Sequence, residues 1–200
     1  RVPLWDPERF VAGKMRGVAP LFSVWGFLAW FVVVAWGAVL AGTYWTDLTQ
    51  NLADRVLAPA NLFLLWLIYP VVKGLHELAH AWAIKRWGGE VHELGIMFLV
   101  FMPVPYVDAS ASTAFRAKHQ RMIVSGAGIM TELFLAALAL VAWVGMEPGL
   151  PRTVAYNVML LGGVSTLLFN GNPLLRFDGY YVFADLLEIP NLATRANAYL

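Results

Sequence analysis

Two histidines and a glutamate carry the first chemical signal in this chain, in the string His76-Glu77-Leu78-Ala79-His80. A spacing of four on a helix sets both imidazoles on one face, about one turn apart, so two nitrogens can bind one divalent ion. Glu77 is rotated by roughly 100° from His76 by the helical period. It can therefore reach a water on that ion without entering the coordination shell. This arrangement suits hydrolysis, in which zinc brings the pKa of a water to ~7, polarises a carbonyl, and leaves a carboxylate to take the proton. The same string arises by chance on exposed helices of soluble proteins. Here it uses two of only four histidines and lies within an apolar run, where ionisable side chains mark functional sites.

A catalytic zinc takes three protein ligands and keeps one position open, so another ligand must come from elsewhere in the chain. With no cysteine present, it must be His, Asp or Glu, and disulfides, thiolate sites and cysteine nucleophiles are excluded. Asp178 is the best placed. It follows the helix-breaking string Asn170-Gly171-Asn172-Pro173, and irregular backbone at membrane depth is tolerated where it is buried or lines a wet cavity. A solvated aspartate just past a helix end is the plainer alternative. Asp108, Asp185 and Glu188 are weaker competitors, because none sits beside so clear a break. His92 and His119 fall in a charged loop where solvated or interfacial histidines are expected.

These groups must be positioned by membrane helices. Of the 200 residues, 60% are hydrophobic and 14% charged, far from the balance of an ordinary globular domain. Apolar runs of spanning length recur, which excludes a cleaved signal peptide as their source. The net charge of +1, with its cations scattered, argues against nucleic-acid binding. Four spans are expected, over Leu21 to Gly42, Ala60 to Trp82, Met122 to Val144 and Val154 to Phe169, with a further helix from Leu174 to Ile189. The fold class is thus an all-α membrane protein with a short strand-like or re-entrant segment between the second and third spans. That segment contains Ile96 to Met102, too short to cross as a helix, followed by Pro103 and Pro105, which confine the next stretch to an edge or a loop. Tyr180, Tyr181 and the tryptophans read as interfacial anchors. An Arg at position 1 and a helix-like end at Leu200 are what an excerpt of a longer protein would show.

Lysines and arginines gather before the first span and after the second, whereas the opposite loops hold only Arg55 and Arg152. Under the positive-inside rule both chain ends are cytoplasmic, and the His-bearing end of the second span faces that side. From His76 to Arg86 the helical rise gives ~15 Å, so the site is submerged but reachable.

The two motifs, His76 to His80 and Asn172-Pro173 to Asp178-Gly179, match in order and spacing those of the site-2 protease family of intramembrane zinc metalloproteases, which this chain resembles over Ala60 to Ile189. Phe101 to Ser110 resembles the bacterial peptide zinc metalloprotease branch. The resemblance implies one zinc per chain held by His76, His80 and Asp178, with Glu77 as base and Asn172 helping to hold substrate. It further implies one polytopic domain over residues 1–200 in a bacterial cytoplasmic membrane, cutting peptides or transmembrane helices. One departure stands out: where many members carry Ala-Gly-Pro with an asparagine three residues on, this chain has Ala127-Gly128-Ile129-Met130-Thr131-Glu132.

Depth counting places Glu132 and Lys73 at nearly the same level, which predicts a buried ion pair between spans two and three. The alternatives are a Lys73 that snorkels through a wet cavity, or a Glu132 that supports a zinc-binding histidine. A transmembrane substrate must unwind before attack, and the Gly88 to Ala109 segment, along Ile96 to Phe101, is expected to offer an edge for strand addition. Two rivals to the protease share the His and Asp ligands, a metal transporter and an inactive scaffold. Neither has a use for Glu77, and a transporter would show paired broken helices.

Overall fold

The computed structural model describes residues 2–99 and 102–189. A short strand β1 (Val2–Trp5) leads into helix α1 (Glu8–Val18), and Ser23 then caps α2 (Val24–Thr43), its hydroxyl oxygen accepting from the Gly26 N–H at 3.1 Å. Two short helices, α3 (Trp45–Thr49) and α4 (Leu52–Leu57), cross to α5 (Pro59–Arg86). Pro59 opens α5 where a missing N–H costs nothing, and Lys85 and Arg86 close it against the negative end of the helix dipole. A hairpin of β2 (Leu94–Leu99) and β3 (Met102–Val107) precedes α6 (Lys118–Gly145). The last span joins α7 (Leu150–Met159) to a π-helical stretch, Leu160–Asn170, and after a non-helical break α8 (Asp178–Leu187) follows.

Four of these helices, Val24–Thr43, Pro59–Arg86, Lys118–Gly145 and Leu150–Asn170, are long and apolar enough to cross a membrane. Twenty residues of helix rise about 30 Å, the thickness of a hydrocarbon core. The four agree with the expected spans, although the fourth starts earlier and runs on in π geometry. The helix α6 is the hub, packing against α2, α5, α7, the π-helical stretch and α8.

Two buried clusters cap the bundle. At one end Val11, Ala81, Ile84, Val91 and Val124 bring α1 and the hairpin's approach onto α5 and α6; at the other, Leu48, Leu140, Trp143 and Tyr156 join the crossing helices to α6 and α7. Glu8 fastens the first cluster, its carboxylate accepting from the Lys85 ammonium and from the Val91 N–H at 3.1 Å.

The segment between spans two and three is a strand pair. Together with β1 it forms an antiparallel sheet in the order β1-β2-β3, with Val2 opposite Ile96 and Leu94 opposite Val107. The N-terminal strand was not foreseen; its four residues carry too little alternation to announce themselves, and only the neighbouring strand gives their backbone partners. Because β1 pairs with the strand between α5 and α6, the N-terminal segment lies on the same side as that loop. The end of α8 lies there too, since Asp185 pairs with Arg121 at 2.7 Å and Glu188 with Lys118 at 3.0 Å.

Candidate metal centre

His76 and His80 project from one face of α5 into the centre of the bundle, and only 4% and 6% of their surfaces remain exposed. Gly128 on α6 makes room for the first, since a Cβ there would overlap the His76 ring. Asp178 reaches the same point from the first turn of α8, where a carboxylate is favoured by the helix dipole. Its approach depends on Gly179, whose missing Cβ lets α8 start directly against the backbone of Asn170 and Gly171.

The three side chains converge. Nε2 of His76 lies 2.9 Å from Oδ2 of Asp178 and 3.0 Å from Nε2 of His80, which is itself 3.4 Å from the same carboxylate oxygen. All three ligand atoms fall within 4.8 Å of one another, so the group can hold a metal ion.

The hydrogen-bond surroundings decide what the cluster wants. Nδ1 of His80 faces the carbonyl of Val124 at 2.6 Å, and a carbonyl accepts only, so Nδ1 carries the proton and Nε2 presents its lone pair. Nδ1 of His76 lies 3.2 Å from Oε1 of Glu132, close enough for electrostatic contact although the pair falls outside hydrogen-bond geometry. A neutral His76 with its proton on that side likewise turns a lone pair inward. Oδ2 of Asp178 is buried without a hydrogen bond. With His76 in that form, three electron-pair donors face one another, an arrangement that a cation relieves. Two imidazoles and a carboxylate suit zinc and its neighbours among the divalent transition metals.

Glu77 stands beside the cluster. With His80 and Asp178 it lines a cavity of about 940 Å³ that reaches Arg116, Lys118 and Glu188 at the mouth. Its Oε2 accepts the Val107 N–H at 3.0 Å, which joins the carboxylate to the end of β3.

Glu132, fully buried, meets four side chains. Oε1 lies 2.5 Å from the Lys73 ammonium as well as near His76, while Oε2 accepts from the Thr166 hydroxyl and from the Asn170 amide at 3.1 Å. The ion pair expected with Lys73 is present, and the same oxygen also approaches a histidine, in electrostatic contact. Asn170 was read only as part of the helix break and Thr166 not at all, because nothing local tells an uncharged hydroxyl or amide that a carboxylate will face it.

Other expected residues stand elsewhere. The Asn172 side chain closes a local turn, Oδ1 accepting from the Leu174 N–H at 2.9 Å. Asp108 accepts from the Ser110 N–H at 3.0 Å, and Asp185 and Glu188 hold the arginine and lysine of α6. His92 is exposed between Asp6 and Glu90, and His119 is exposed in the first turn of α6. Tyr181 is half exposed, but Tyr180 is buried and lines the cavity, so it is not an interfacial anchor.

The expected edge along Ile96 to Phe101 is covered at its first residue only: β1 pairs with β2 over Leu94 to Ile96, and among the described residues Met97 to Leu99 pair with β3 alone. The outer side of β3 is a second free edge. Val107 donates outward to Glu77, so by alternation residues 103 and 105 also face outward, and both are prolines without an N–H.

No family model matches this chain, and no curated protein or solved structure does so either.

Proposed function

We propose that this chain is an intramembrane zinc metalloprotease that hydrolyses peptide bonds of membrane-embedded or membrane-associated substrates. The observation that carries the reading is the placement of a carboxylate outside the ligand group, Glu77, in the same cavity as His80 and Asp178. A purely storing or transporting site has no need of it. The motif resemblance to site-2 proteases points the same way, and the loop charges favour a cytoplasmic mouth.

His76, His80 and Asp178 would hold the zinc. When bound, it supplies the Lewis acidity that activates a water and polarises the scissile carbonyl. Glu77 takes a proton from that water and returns it to the departing amine, the usual cycle of a general base turned acid. Its bond to Val107 keeps the carboxylate against the end of β3, where an unwound substrate strand can lie. The prolines leave that edge with carbonyl acceptors alone, so the substrate contributes the N–H donors. Burial of the centre between α5, α6 and α8 keeps bulk water from competing with these contacts.

Glu77→Gln tests the reading. The amide oxygen can still accept from Val107, but it is no base. Cleavage of a single-span model substrate should fall by at least ~100-fold, the low end of what a general base contributes, with zinc content unchanged. Undiminished cleavage would refute the assignment.

A further inference from the structure

We infer that Glu132 is the positioning residue of the metal centre: one carboxylate orients the His76 ring and ties it to the chain segment that delivers Asp178. The inference rests on the metal-site reading above.

A plain structural ion pair would need only Lys73 and one oxygen. Here both oxygens are committed, Oε1 between Lys73 and His76, Oε2 to Thr166 and Asn170. Lys73 and His76 lie on the same helix α5, one turn apart, so Glu132 grips the face that bears the histidines. Thr166 and Asn170 belong to the π-helical stretch immediately before the break. Asn170 is also where Gly179 packs, so fixing Asn170 fixes the start of α8 and with it Asp178. The two halves of the site, distant in sequence, therefore meet through one side chain of α6.

The residue type is what this task requires. A carboxylate only accepts and has two oxygens, matching donors on both sides, whereas an amide would turn an NH2 toward Lys73 or toward Thr166 and Asn170. The buried Nδ1 of His76 makes no hydrogen bond and lies 3.2 Å from Oε1 of Glu132, in electrostatic contact. A ligating histidine held through its other nitrogen binds metal more tightly, and loss of such a partner typically costs about 10–100-fold in affinity.

The test separates positioning from mere packing. The purified full chain is compared with Glu132→Gln and with the double variant Lys73→Met/Glu132→Met, which removes both charges together. Zinc affinity is read by chelator competition, ligand geometry by the absorption of the cobalt-substituted protein, and stability by thermal unfolding of the metal-free form. The double variant should unfold near the parent temperature yet bind zinc about 10–100-fold more weakly with an altered cobalt spectrum. Parent-like affinity and spectrum in either Glu132 variant would overturn the inference. Should both fail to fold, Thr166→Val decides, since it removes one donor without stranding a charge: a several-fold loss of zinc affinity supports positioning, and none overturns it. If the parent chain binds no more zinc than His76→Ala, the metal-site reading itself falls, an outcome distinct from parent-like affinity confined to the Glu132 variants.

Discussion

Nε2 of His76 and Oδ2 of Asp178 lie 2.9 Å apart, although one belongs to the second of the four long apolar helices and the other to the helix after the last. Between them in sequence come the sheet, the hub helix and the π-helical stretch, and each contributes to the meeting. The hub supplies Gly128 and Glu132, the π-helical stretch supplies Asn170, and the sheet engages the neighbouring Glu77 through Val107.

Removing a ligand should empty the centre. His76→Ala, His80→Ala and Asp178→Ala should each reduce the metal content of the purified chain from about one equivalent toward zero by elemental analysis. His92→Ala should not, since that ring is exposed and paired with Asp6 and Glu90. Full occupancy in Asp178→Ala would mean that another acid completes the site.

The close approach at Gly128 should be intolerant of a single methyl group. Gly128→Ala pushes directly on the His76 ring. It should destabilise the chain by about 1–3 kcal/mol, the usual range for overpacking. Zinc affinity should fall alongside, whereas Gly126→Ala, whose Cβ would meet only ordinary contact, should leave both unchanged.

The acceptor-only edge of β3 predicts an asymmetry in substrate binding. Replacing an amide by an ester in a model peptide deletes one N–H donor while keeping an oxygen. At positions lying against Pro103 or Pro105 this should cost about 0.5–1.5 kcal/mol, seen as a raised KM. Equal tolerance of esters along the whole substrate would remove the role of this edge.

Acid should loosen the N-terminal clasp. Burial pushes the Glu8 carboxyl upward, but the Lys85 ammonium and the Val91 N–H outweigh it and hold the group below its ordinary value of 4.5. The folded form therefore favours the carboxylate, so this contribution is complete above pH 4.5 and is lost as the pH falls through the depressed folded value. Hydrogen exchange should show α1 and β1 losing protection in that acidic range. Glu8→Gln should show the same loss already at neutral pH.

Much of this molecule is written locally in its sequence. The four long helices follow from apolar runs of spanning length, because a helix satisfies its backbone polar groups internally, as lipid would demand. The histidine pair and its glutamate follow from the helical repeat, since residues four apart share a face whatever surrounds them. Pro103 and Pro105 announced an edge or a loop because proline removes the N–H that a central strand needs.

What the sequence left open concerns partners distant along the chain. Lys73 and Glu132 were expected to meet by depth, but depth does not separate an ion pair from support of a histidine, and the tertiary structure brings Lys73 and His76 to one oxygen. It alone brings Thr166 and Asn170 to the other oxygen, covers the start of β2 with the N-terminal strand, and closes a local turn with Asn172. The physical reason is range: helical period and hydropathy act over a few residues. Which polar group faces which across the bundle is decided only when α5, α6, the π-helical stretch and α8 pack together.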